Sequence, residues 1–152
     1  MDLDQEIALL GRSRLFRGCD AEELELLAYI GIPVSFAPGE VLLQQGAVTD
    51  HTYYIVSGEV EIVMASGMAP AAFRTLGESL MLGVVSALTA RPSPWGIAAA
   101  SQVEALSFPA EDLRRFLIRV PEVAVLLLEH VAGRMLDHID DWKAAAQVRR
   151  SE

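Results

Sequence analysis

The spacing of apolar residues changes period twice along this chain. Residues 3–11 and 21–30 follow a helical period, and Leu24, Leu27 and Ala28 form the stripe of the second segment. Asp20 followed by Glu23 predicts a capping box that opens that helix. From Pro33 to Phe108 the period shortens to alternation in brief runs. Residues 34–36 end at Pro38-Gly39, residues 41–44 at Gly46, and residues 52–56 at Ser57-Gly58. Val60, Ile62 and Met64 then alternate with Glu59, Glu61 and Val63, and Ser66-Gly67 is the next turn. Residues 71–76 end at Gly77, and runs at 97–100 and 103–108 are separated by Ser101-Gln102. About eight short strands between close turns predict a mainly β fold: an eight-stranded jelly-roll barrel (double-stranded β-helix) with flanking N- and C-terminal α-helices. After Pro109 the period is helical again. One helix carries Leu113, Phe116 and Leu117 on one face, and Pro121 stops it and opens the next, expected over 122–146. In that last helix Leu128, Ala132, Met135, Ile139, Trp142 and Ala146 follow a 4-3-4-3-4 spacing. Such a stripe serves as the seam of a homodimer or packs against the chain's own barrel, and Gly133 weakens the helix that carries it.

Two strings carry a family resemblance. Phe36-Ala37-Pro38-Gly39-Glu40-Val41-Leu42-Leu43-Gln44-Gln45-Gly46 and Asp50-His51-Thr52-Tyr53-Tyr54-Ile55-Val56-Ser57-Gly58-Glu59-Val60-Glu61-Ile62 resemble the opening strands of the cyclic-nucleotide-binding domain family. That family includes the bacterial catabolite activator and the regulatory subunits of cyclic-AMP-dependent kinase. Leu15-Phe16 resembles the Leu-Phe pair that precedes its second helix. The resemblance covers nearly the whole chain. It implies one domain over 1–152, with N-terminal helices at 1–32, a barrel at 33–108 and C-terminal helices at 109–146.

The resemblance also implies a phosphate-binding cassette at 83–97. A cyclic phosphate is a buried anion that needs backbone N–H groups and a cation, best an Arg fork, while the ribose 2′-hydroxyl needs an acceptor. The family supplies these as Gly-Glu-Leu-Ala, a short helix, and Pro-Arg-Ala-Ala-Thr. Here the spacing from Gly83 to Pro92 agrees without a gap, yet Val84 stands at the Glu position, Ser93 at the Arg position, and Trp95-Gly96 where Ala-Thr follows. Reading Gly77-Glu78 as the Gly-Glu pair instead would put Ser86 where the Pro belongs. The candidate ligand-binding residues are therefore Gly83, Val84, Val85, Ser86, Arg91, Ser93 and Trp95. Arg91, two residues before the lost position, swings in or remains an exposed residue beside a turn. Trp95 stacks on a purine or fills its place. The expected ligand is a weakly bound cyclic nucleotide or other small anion.

Composition narrows the remaining classes. With 152 residues and a hydrophobic fraction of 52%, the chain has enough to bury a core. Acidic residues outnumber basic ones, 21 to 12, for a net charge of −9. That sign repels phosphate backbones, and the densest basic sites, Arg114-Arg115 and Arg149-Arg150, are single pairs. Activators of the family continue into a helix-turn-helix domain, whereas this chain ends at Glu152, just past the last helix, so no nucleic-acid partner is expected. Cys19 is alone and forms no internal disulfide. The acidic N-terminus is unlike a signal peptide, and the apolar stretch at 80–90 is about half a membrane span, so the expectation is a cytoplasmic protein without a membrane partner. His51, His130 and His138 form neither His-x-His nor His-x-x-x-His. No nucleophile elbow or P-loop occurs, so no catalysis, metal or cofactor is expected. The sequence thus predicts a regulatory module signalling through its C-terminal helix. The alternatives are an interaction protein with a closed pocket and a cupin-like enzyme.

Overall fold

The computed structural model describes residues 2–63, 72–76 and 80–151. Two short helices open the fold. In α1 (Leu3–Gly11) the Asp2 carboxylate accepts from the Gln5 N–H at 2.8 Å, and the Gln5 side chain accepts from the Asp2 N–H at 3.0 Å. That capping box was not anticipated. In α2 (Ala21–Ile30) Asp20 and Glu23 make the predicted one at 2.8 and 2.9 Å. Leu27 and Ala28 are buried, and Leu24 packs on the same cluster.

The strands are β1 (Ile32–Phe36), β2 (Val41–Leu43), β3 (His51–Ser57), β4 (Val60–Val63), β5 (Ala72–Leu76), β6 (Met81–Leu82), β7 (Gly96–Ala99) and β8 (Val103–Pro109). Among the described residues they form two four-stranded sheets, ordered β1-β8-β3-β6 and β2-β7-β4-β5, with antiparallel pairing throughout. Two facing sheets replace the closed barrel expected from the turn spacing. Register breaks between Ile55 and Ser57 and between Val41 and Leu43 bend the sheets locally without joining their edges. The expected strand residues Met64 and Ala71, and the turns at Ser66-Gly67 and Gly77, lie outside the described residues. The short β6 gave no alternation to detect.

Both faces of the first sheet are covered. On β8, Val103 and Ala105 face the cluster between the sheets, while Leu106 and Phe108 join the cluster under the helices. On β3, Ile55 and Tyr54 divide the same way. A strand buried on both faces reads as an almost continuous apolar run, which is how 103–108 is written. Phe16, from the expected Leu-Phe pair, meets Tyr54 with ring centroids 5.6 Å apart.

The remaining helices are α3 (Val84–Thr89), α4 (Ala110–Arg119) and α5 (Pro121–Ser151). Pro121 begins α5, as its position predicted. Val123 and Leu127 bury the first turns of α5, and Val131 extends their contact. Leu128, Met135 and Ile139 are 67%, 45% and 49% exposed, and Ala132 and Ala146 are exposed as well. The 4-3-4-3-4 stripe therefore does not pack on the chain's own sheets; the seat is a second stripe on another face. The Trp142 side chain is outside the described residues. Among the described residues no helix is long and apolar enough to cross a membrane.

Candidate functional site

The segment from Gly83 to Trp95 forms one wall of a cleft between the ends of β6 and β7. Gly83 caps α3 with φ +83°, and a Cβ there would lie 3.1 Å from the His51 carbonyl oxygen. Both the left-handed backbone and the close approach require glycine. Behind it, Val84 is buried in the helix-side core, so its side chain anchors α3.

The two serines are engaged within the fold. Ser86 is 2% exposed; its hydroxyl donates to the Arg91 carbonyl at 2.6 Å and accepts from the Thr49 N–H at 3.1 Å. Ser93 is 5% exposed; its hydroxyl donates to the Trp95 carbonyl at 2.7 Å. The Ser93 backbone also exchanges two hydrogen bonds with the facing turn, to the Ala47 carbonyl at 2.8 Å and from the Gly46 N–H at 2.9 Å. A loop held this closely to its neighbour positions side chains with little freedom.

Gly83, Val84, Val85, Ser86, Ser93 and Trp95 all line this one cleft. Arg91 does not: it is exposed and outside the lining. Trp95 is half-buried and packs on the cluster between the sheets. The cavity volume is about 30 Å³. Ligand pockets are typically about 300 Å³ or larger.

Helix α5 closes the far wall with Val131 and Arg134. Neither was singled out in the sequence. They continue the Val123–Leu127 stripe at spacings of four and three. That signal exists in the pattern, but no motif links it to residues fifty positions earlier. Arg134 is the only charged residue among the described residues lining the cleft. One turn away, the Nε2 of His130 is buried with no hydrogen-bond partner among the described residues. Burial holds the His130 pKa below the usual histidine range; the nearby Arg134 charge adds to this, and the Met81 backbone opposes it. Among the described residues no group of three metal-ligating side chains gathers anywhere. The Asp50–His51 pair at 2.7 Å is a surface contact.

Comparison with known proteins places this geometry. The family model described as "Cyclic nucleotide-binding domain" matches residues 33–119. The potassium channel AKT2 of Oryza sativa subsp. japonica is 28% identical over 127 residues, which are 83% of this chain and 15% of the channel. The CRP-like cAMP-activated global transcriptional regulator of Mycobacterium tuberculosis is 27% identical over 128 residues, 84% of this chain and 57% of the regulator. The regulatory domain of Toxoplasma gondii PKA, solved with cAMP, superposes with a TM-score of 0.76 at 16% identity, covering 86% of this chain and 50% of that one. The chain thus spans between about one-seventh and three-fifths of the length of these relatives. By the match over 33–119, which exceeds half its length, the chain belongs to the cyclic nucleotide-binding domain family.

Proposed function

We propose that this chain is a non-catalytic regulatory module that binds cyclic AMP and cyclic GMP weakly or not at all, and that signals through α5. The observation that carries the reading is the state of the two substituted positions. Val84, where the resemblance puts a ribose-binding carboxylate, is an apolar anchor in the core. Ser93, where it puts the phosphate-binding Arg, spends its single proton on the Trp95 carbonyl. Hydrogen bonds to charged groups are worth about 1.5–3 kcal/mol each, so losing two contacts costs on the order of 100-fold or more in affinity. The relatives support a regulatory role: one is named as a channel, one as a transcriptional regulator, one as a kinase regulatory domain. The outputs of those longer proteins are not carried over.

A narrow cleft with α5 as one wall supports coupling to that helix. A nucleotide enters only if Trp95, Val131 or Arg134 moves, so occupancy selects a different position of α5. The exposed stripe of Leu128, Ala132, Met135 and Ile139 supports a homodimer seam as the receiver of that signal. A second reading, an interaction module with a closed pocket, draws on the small free volume and the internally bonded serines. Titration calorimetry with cyclic AMP and cyclic GMP tests the first reading. The expected result is no heat, or dissociation constants weaker than about 100 μM, for both nucleotides. Low-micromolar binding of either one would overturn the proposed weak binding. Trp fluorescence separates the two readings, since a cleft Trp95 responds to millimolar nucleotide and a permanently packed one does not.

A further inference from the structure

We propose that the groove between α2 and α4 is a second ligand site, and that it takes a small amphipathic carboxylate: an apolar body, aromatic or aliphatic, carrying one acid group. The groove shares no lining residue with the cleft at 83–97 and does not depend on how that segment treats a nucleotide.

Size sets the groove apart first. Its cavity volume is about 420 Å³, against about 30 Å³ for the cleft. Ligand pockets start near about 300 Å³, so of the two only the groove has room for a molecule without rearrangement.

Its shape follows from one face of each helix. Leu26 and Ile30 of α2 stand one helical turn apart, as do Arg115 and Arg119 of α4. Leu26, Ile30 and Phe116 make an apolar floor: Phe116 is 1% exposed, and the other two pack on the helix-side core. The fold itself therefore fixes the floor. Tyr29 lines the same groove, yet it is 81% exposed. A ring left this open beside an apolar floor has area to lay on a ligand, and only two side-chain torsions to order in doing so.

The charge of the lining selects the sign of the ligand. Two guanidinium groups, Arg115 and Arg119, share the groove with one carboxylate, Asp112, for a net charge of +1 in a chain that carries −9. Arg115 meets Asp112 at 3.5 Å. Among the described residues the exposed Arg119 side chain has neither an ion pair nor a hydrogen bond. Its planar fork therefore receives both oxygens of a carboxylate without giving up an existing contact. A single net positive charge balances a monoanion, whereas a phosphomonoester at about −2 would leave an excess. Glu22 and Glu25 are exposed on α2, four residues before Leu26 and Tyr29. An acidic peptide running on along α2 would meet those carboxylates, while a small monoacid ends before them.

NMR titration of the whole chain tests the site, with 4-phenylbutyrate, the neutral 4-phenyl-1-butanol and butyrate as probes. 4-Phenylbutyrate is expected to shift the amides of 26–30 and 112–119 with a dissociation constant on the order of 1 mM. The alcohol keeps the body and lacks the charge, and is expected to bind at least about threefold more weakly. Butyrate keeps the charge and lacks the ring, and is expected to bind at least about tenfold more weakly. Arg119→Gln and Tyr29→Ser alter exposed side chains, so both are expected to keep the fold by circular dichroism, and each to weaken 4-phenylbutyrate about three- to tenfold. Unmoved amides at about 20 mM 4-phenylbutyrate, roughly twentyfold above the expected constant, would overturn the proposal. So would shifts confined to 83–86 and 93–95, equal binding of the alcohol, or a change of less than about twofold in either variant. None of these probes is a nucleotide, so failure here leaves the weak-binding reading of the cleft standing.

Discussion

At Gly58 the chain turns between β3 and β4 with φ +96°, and an added Cβ would sit 2.2 Å from the Gln102 carbonyl oxygen and 3.0 Å from the Val103 Cα. Both neighbours are backbone, so neither yields cheaply. Gly58→Ala is expected to destabilise the fold by on the order of 2–4 kcal/mol, seen as a lower urea midpoint at unchanged slope. Stability within 0.5 kcal/mol of the parent, roughly the noise of a surface change, would contradict the packing described. Val84 makes the complementary point for the site. Restoring the family's acidic residue as Val84→Glu puts a carboxylate among the side chains that anchor α3. The expected cost is about 3 kcal/mol or more in thermal or urea unfolding. The position is thus committed to packing. Glu6 shows a milder conflict: it is buried, desolvation raises its pKa, and Glu6→Gln is expected to raise the melting temperature at neutral pH.

Helix α5 shows what an element adds beyond its residues. The sequence displays its heptad stripe plainly, yet the stripe that seats the helix is the other one, through Val123, Leu127, Val131 and Arg134. Two stripes on one helix compete for attention, and periodicity alone ranks the longer, more apolar one first. Docking decides the matter, because the first turns of α5 follow directly from α4 and are pulled under the N-terminal helices with Val120 and Val123. The exposed stripe remains available to a second copy. Leu128→Glu, at a side chain 67% exposed, is expected to leave the melting temperature of the monomer within about 2 °C while converting a dimer to monomer in sedimentation equilibrium. An unchanged dimer in that variant would place the seam elsewhere.

For the whole molecule, helices cover one face of the first sheet and the second sheet lies beneath that layer, while α5 itself reaches the cleft through Val131 and Arg134. His130 sits in that layer's cover and reports on it by pH. Its folded pKa lies below the unfolded one, so on acidification the unfolded chain takes up the proton first. Stability from this group is intact above about pH 7, falls as pH drops through the unfolded value near 6.5, and levels off below the folded value. The melting temperature is therefore expected to decline as the pH falls below about 7, and His130→Gln to flatten that decline. An equal decline in the variant would show that other groups cause it.

The sequence by itself determined the elements: the N-terminal helices, the Asp20–Glu23 cap, the turns at Gly39, Gly46 and Gly58, and the break at Pro121 are written in local propensity and need no distant partner. It also placed Gly83, Val84, Val85, Ser86, Ser93 and Trp95 in one region, because a single short segment contains them all. Tertiary structure decided what local pattern cannot encode. Whether strands close into a barrel or stop as two sheets depends on edges meeting in space. Whether Arg91 or Arg134 faces the cleft depends on which of two long side chains the packing of α5 turns inward, and that is set by contacts between residues far apart along the chain.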